Sequence, residues 1–361
     1  MVARFFRSNA VLMALMLWIG ACASERSVQQ TSEPAVLPEL VPGARFGCVE
    51  CEGLEQLTPV AIGLGEDGRV YELDQYEPHV RMFDADGNLA ATFGRSGQGP
   101  GEIQFPVAVF PGDDGEVLVY DLPGLHVFDA KGEHLRTMPW PMRVPHSFDY
   151  LANEHSLLML SFLPRMPEAR DGRSKALERW LLEGEAIEPE IVIAPQDLPA
   201  DPSDATRSRV TALAFRSDGG FVLGDRWSYR LYAYDAAGEP IGEFGREIPR
   251  QSKSQQQRER EREKVDRSGG RLTLQPDMNH FQQWSLKFDC QGRLWVLTTR
   301  GGPDRSAIDL FDSDRRYLGE IQVAQHIVQG GPMFELAGGR LAAVVEDDDG
   351  IQTVQVWRVK G

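Results

Sequence analysis

One signal recurs along this chain and constrains it more than any other: a glycine-bearing tight turn followed directly by a β-rich run. It stands at Asp67-Gly68-Arg69-Val70, Asp114-Gly115-Glu116-Val117, Asp218-Gly219-Gly220-Phe221, Gln291-Gly292-Arg293-Leu294 and Gly338-Gly339-Arg340-Leu341. A second turn follows each of the first four, at Phe83-Asp84-Ala85-Asp86-Gly87, Phe128-Asp129-Ala130-Lys131-Gly132, Tyr234-Asp235-Ala236-Ala237-Gly238 and Phe311-Asp312-Ser313-Asp314. Asx-Gly pairs supply the positive φ that two-residue hairpin connections require. Each unit therefore reads as strand, turn, strand, loop, strand, turn, strand.

Spacing turns these units into an architecture. Val70 to Val117 is 47 residues, and Leu294 to Leu341 is again 47. Val117 to Phe221 is 104, room for two units, the weaker of which carries His155-Ser156-Leu157-Leu158-Met159. Phe221 to Leu294 is 73, one unit plus an insertion. Four-stranded units of ~40–50 residues are the blades of a β-propeller. Units starting near Pro59, Pro106, His146, Val210, Gln283 and Gly330 make six. The last has no fourth strand after Val354-Gln355-Val356-Trp357-Arg358-Val359, but Phe46-Gly47 stands 47 residues before Phe93-Gly94. The expected fold is thus all-β, a six-bladed β-propeller of four-stranded antiparallel blades. Segment 44–47 completes the last blade, which leaves no unpaired edge at the join.

Phe93-Gly94-Arg95-Ser96-Gly97-Gln98-Gly99-Pro100-Gly101-Glu102, followed by Phe105-Pro106, resembles the NHL-repeat signature of six-bladed propeller lipoproteins. The resemblance is strong over 59–140, fair over 210–246 and 283–320, and poor over 146–209. It implies a propeller but no particular activity, since such propellers include enzymes, binding modules and sensors. Two insertions break the pattern, at 163–180 in blade three and at 247–276 between blades four and five. The second contains SKSQQQREREREKVD (252–266), polar and helix-prone but without an apolar stripe, so it reads as solvated.

The N-terminal residues read as a targeting signal. Arg4 and Arg7 precede the apolar run Val11 to Ile19, too short for the ~20 residues a spanning helix needs. Ile19-Gly20-Ala21-Cys22 resembles the lipobox of bacterial lipoproteins, which implies cleavage after residue 21 and lipidation of Cys22. Two or more acyl chains at ~0.8 kcal/mol per buried CH₂ anchor a protein stably. Residue 23 is Ala rather than Asp, so the resemblance implies the outer membrane of the cell envelope. The expected organisation is a signal peptide at 1–21, a flexible tether at 22–42 and the propeller at 43–361. A net charge of −16 repels a phosphate backbone, so nucleic acid is not an expected partner.

Ligands of propellers usually meet the face that carries the loops between second and third strands and the blade-to-blade crossings. On that face the sequence offers Tyr76 and His79 from blade one, Arg95 from its exit loop, and His146 and Arg209 at blade entries. Asp225, Trp227 and Tyr229 come from blade four, and Trp284 and Arg300 from blade five. Zinc-dependent NHL-like lyases hold their metal with entry histidines, for which His146, His280 and His326 are the candidates. Only His146 falls at an entry, however, and capping or surface roles suit the three better. No G-x-S-x-G, Walker or H-E-x-x-H motif is present. Cys48 and Cys51 suit a small structural disulfide in an oxidising compartment, and Cys290 falls in a turn on the opposite face. The expectation is a non-catalytic binding or scaffold module for a small ligand, peptide, glycan or protein, without a metal or cofactor. The alternative is a metal-dependent lyase or hydrolase acting at the central channel.

Overall fold

The computed structural model describes residues 36–47, 57–112, 114–139, 145–162, 175–182, 189–194, 197–201, 204–208, 210–255, 257–259, 262, 277–302 and 304–361. Six antiparallel sheets form a β-propeller. Blade one is Pro59–Leu64, Val70–Asp74, Val80–Phe83 and Leu89–Phe93; blade two is Pro106–Pro111, Val117–Asp121, Gly124–Phe128 and His134–Pro139. Blade three is Pro145–Leu151, Ser156–Phe162, Lys175–Leu181 and Pro189–Ile193; blade four is Val210–Phe215, Phe221–Asp225, Arg230–Tyr234 and Pro240–Gly245. Blade five is Phe281–Phe288, Leu294–Thr298, Ser306–Phe311 and Tyr317–Val323. Blade six has an inner strand in two pieces, His326–Ile327 and Phe334–Ala337, followed by Arg340–Glu346 and Gln352–Lys360. No helix among the described residues is long and apolar enough to cross a membrane.

The outermost strand of blade six comes from the N-terminal side. Glu39–Phe46 pairs antiparallel with Gln352–Lys360, from Glu39 opposite Lys360 to Phe46 opposite Val354. It begins five residues before the expected segment, so residues 39–42 belong to the sheet and not to a tether. Pro42 obscures this in the sequence. It lies where the register shifts, on an edge strand, which is where a strand tolerates a missing N–H. In blade three the third strand starts at Lys175, so the expected interruption over 163–180 stops before that residue.

The turns explain the repeated Phe-Asp pairs. Asp84 Oδ1 accepts from the backbone N–H of Asp86 and Asn88, at 3.0 and 2.8 Å, and Asp129 and Asp235 do the same two and four residues on. Such Asx geometry closes the hairpin locally, and the glycine that follows takes the left-handed conformation, with φ of 93° at Gly87 and 84° at Gly132. A second aspartate recurs at the other end of the second strand. Asp74, Asp121 and Asp225 are buried and accept backbone N–H groups from adjoining loops.

There is no single core. Six buried clusters each straddle two neighbouring blades, and together they run round the ring. The cluster between blades six and one includes Phe46, whose ring stacks on Phe83 at 4.2 Å. Inner strands of blades one to four share a further feature, a register shift near their entry. Val60, Val107, His146 and Thr211 are the extra residues, and blade five has a wider break between Phe281 and Leu286. Bulges of this kind re-aim side chains at the rim of a closed sheet.

Candidate functional site

Inner strands carry mostly apolar residues, but three of them each bring one charge to the propeller axis. Lys287 of blade five places its Nζ 2.8 Å from Asp149 of blade three and 2.9 Å from Glu335 of blade six. The second Asp149 oxygen accepts the Phe215 N–H at 2.9 Å. Nearer the loop face, Ser147 Oγ donates to the Gln283 carbonyl at 3.0 Å and the Trp284 ring packs on Phe148, with centroids 5.9 Å apart. Blades three and five are not neighbours, so these contacts cross the axis and fill it. Burial works against the charge on Lys287, but Asp149 and Glu335 outweigh it and hold the ammonium above its ordinary range. The same burial pushes the Glu335 carboxyl up to about 7, against the pull of a lysine it shares with Asp149.

This ion-paired plug is part of the wall of a cavity of about 530 Å³ that opens on the turn face, the face of the Asx-Gly hairpins. All six blades line it, through Tyr71, Phe110, Tyr150, Phe215, Phe288 and Leu336 in blade order. Phe110, Tyr150 and Phe288 are only half-buried, and the rings of Phe110 and Tyr150 lie 5.3 Å apart. Glu66, Asp67 and Arg69 stand among the lining residues. Glu66 accepts the Gly338 N–H at 2.9 Å, which ties the first turn of blade one to blade six. A space of this size with aromatic walls and a few fixed charges has the proportions of a small-molecule site.

The residues expected to form a ligand face on the loop side do not gather into one site. Tyr76, His79 and Arg95 share a shallow depression of about 460 Å³ on blade one. Arg95 is held there by Glu102, at 2.6 Å, and His79 Nδ1 contacts the Glu77 carbonyl. Two others must be corrected. Tyr229 is fully buried; its hydroxyl donates to Asp309 and its ring stacks against His280 at 5.4 Å. Arg300 is clamped within blade five by Asp309 at 2.6 Å and Glu320 at 2.7 Å, and the Tyr229 hydroxyl reaches the same Asp309 from blade four, so both side chains are engaged by protein groups. Trp227 carries the Arg250 guanidinium on its face at 3.7 Å. Trp284 belongs to the axial packing. His146 is placed by its backbone at the blade-three bulge, and Arg209 lies outside the described residues.

His280 is buried against Tyr229, and His326 pairs with Glu346 at the start of blade six. Among the described residues no three His, Cys, Asp or Glu side chains converge on a point that could hold a metal ion. Cys22, Cys48 and Cys51 lie outside the described residues, and Cys290 is free and exposed. Sequence reasoning passed over Asp149, Lys287 and Glu335 altogether. Their signal was a lone charge inside an apolar inner strand, as in Phe148-Asp149-Tyr150, Leu286-Lys287-Phe288 and Phe334-Glu335-Leu336.

Fold and cavity together define a six-bladed β-propeller whose turn-face cavity draws on every blade. Solved structures share the fold. A DUF4221-family protein from Bacteroides vulgatus superposes with a TM-score of 0.56 at 10% identity, covering 90% of this chain and 99% of that one. A Bacteroides fragilis protein described as a candidate exported protein gives 0.54 at 12% identity, covering 90% and 96%. Virginiamycin B lyase from Staphylococcus aureus gives 0.47 at 11% identity over 88% and 99%, a likeness that carries no argument. Such identities show the fold alone. No protein-family model matches the chain, and no curated protein does.

Proposed function

We propose that this protein is an extracytoplasmic binding module that takes a small ligand into the turn-face cavity. One observation carries the reading: all six blades contribute to a single cavity of about 530 Å³ whose wall includes an interlocked ion triad. A cavity built across six rigid sheets is pre-organised, so little ordering opposes binding. The triad is locked by its own ion pairs, one ammonium held between two carboxylates, which suits holding a ligand better than transforming it. The half-buried faces of Phe110, Tyr150 and Phe288 would take the apolar body of the ligand, and Arg69 or Glu66 at the opening its polar end.

Anchoring follows from the Cys22 motif. The Bacteroides fragilis neighbour supports export, and a diacylated Cys22 would hold the propeller at the outer membrane. Metabolic labelling with an alkyne fatty acid tests this: the parent chain takes the label and Cys22→Ser does not.

The ligand reading is tested by screening small metabolites and short peptides against the full chain by thermal shift and calorimetry. Tyr150→Ala and Phe288→Ala should each weaken any true ligand tenfold or more, whereas Tyr76→Ala should leave it unchanged. A ligand indifferent to both cavity variants would move the site elsewhere.

A further inference from the structure

The fixed charges that line the turn-face cavity do not cancel. In its wall one ammonium, Lys287, stands between two carboxylates, Asp149 at 2.8 Å and Glu335 at 2.9 Å, which leaves one negative charge when both acids are ionised. Both Asp149 oxygens are engaged, one by Lys287 and the other by the Phe215 N–H at 2.9 Å. Glu335 is different. Its Oε2 takes the lysine, and among the described residues no N–H or O–H donates to Oε1. Its side chain keeps 18% of its surface open, so this oxygen is accessible rather than sealed in the core. Among the lining residues, Asp67 and Arg69 pair with each other at 3.4 Å. Glu66 accepts the Gly338 N–H but makes no ion pair, and the nearby Arg340 is bonded to the Gly338 carbonyl at 3.2 Å.

Much of the remaining lining is aromatic: Tyr71, Phe110, Tyr150, Phe215 and Phe288. Ring faces carry negative electrostatic potential and attract a cation. A carboxylate or phosphate entering here would meet ring faces and two uncompensated acids, whereas a cation is favoured by both. The whole chain adds to this preference, since a net charge of −16 draws cations and repels anions.

We propose that the ligand of the turn-face cavity is an organic amine, whose ammonium donates to Glu335 Oε1 while its body lies on the Phe110, Tyr150 and Phe288 rings. This rests on the cavity reading above and narrows it to one chemical class. Glu66 supplies the second carboxylate, which suits a longer or doubly charged amine. The ammonium also has a consequence for protons. Burial holds the Glu335 carboxyl up at about 7, with Lys287 pulling it down and Asp149 pushing it up. A second ammonium beside it favours the ionised form, so binding at pH 7 expels a proton.

The probes are tryptamine, phenethylamine and octylamine, each beside the alcohol and the carboxylate of the same body, titrated calorimetrically into the full chain. At least one amine should bind saturably and about tenfold or more tighter than its alcohol, and the carboxylates should not bind. Phe288→Ala should weaken that amine, and Glu335→Gln should bring it down to the affinity of its alcohol. Glu66→Gln, an exposed change that leaves the triad intact, should weaken it severalfold. Binding heats at pH 7 in two buffers of different protonation enthalpy should show proton release in the parent and none in Glu335→Gln. An alcohol or carboxylate that binds as tightly as its amine and is still weakened by Phe288→Ala would overturn the amine assignment and leave the cavity reading standing. An amine held equally by Glu335→Gln and the parent would overturn it too. If no probe of any charge responds to Phe288→Ala, the amine and the cavity reading fall together.

Discussion

Arg315 occupies a place that blades one, two and four give to glycine. Its φ is 69°, in the left-handed region, matching Gly87, Gly132 and Gly238 in the corresponding turns. A non-glycine residue there costs roughly 1–2 kcal/mol, partly offset because glycine loosens the unfolded chain. Arg315→Gly should therefore stabilise the protein by ~0.5–1 kcal/mol in urea denaturation; a loss of stability would mean that the arginine side chain matters more than its backbone. Asp121 makes the opposite case. It accepts the N–H groups of Gln104 and Phe105 and lies 3.6 Å from His126, all while buried. Asp121→Ala would leave two backbone donors without partners and should cost ~2–4 kcal/mol. The turns were legible because local chemistry sets them: Asp84, Asp129 and Asp235 are each satisfied within four residues. Tyr229 and Arg300 were not. Asp309 is 80 residues from Tyr229, and nothing local says that the tyrosine turns inward to meet it.

Strands divide in the same way. Second and third strands, such as Val117–Asp121 and Gly124–Phe128, are buried on both faces and read as short apolar runs with one polar residue each, Asp121 and His126. Inner strands hold the surprises, because their bulges and lone charges answer to neighbours across the axis. The triad they form has a testable pH signature. Glu335 takes its proton near pH 7 when folded and near 4.5 when unfolded, because burial outweighs the help of Lys287. Between those values the folded state holds more protons, so this contribution to stability is full below about 4.5 and is lost as the pH rises through about 7. Glu72, raised to about 7 by burial against the pull of Arg81, adds to the same trend. Glu335→Gln should flatten the decline in unfolding free energy between pH 5 and pH 8 by ~1–2 kcal/mol. An unchanged slope would show that Glu335 is ionised throughout.

At the scale of the whole molecule, stability belongs to interfaces between blades, so each blade depends on two neighbours and the ring depends on its seam. Spacing alone located that seam, through the 47-residue offset between Phe46 and Phe93. It could not give the strand its full length, since the Pro42–Gly43 bulge hides the pattern upstream. Phe46 stacks on Phe83 within the cluster shared by blades six and one, and Phe46→Ala should cost ~3–5 kcal/mol. The most direct test of the closed ring is a cross-link. Val41 lies opposite Arg358 in the paired strands. With native cysteines replaced by serine, a Val41→Cys, Arg358→Cys chain should oxidise to one intramolecular disulfide, identified as a linked peptide by mass spectrometry. A Val41→Cys, Val356→Cys chain, displaced by two residues, should not. Equal linkage in both, or none in either, would contradict a ring closed by these two strands.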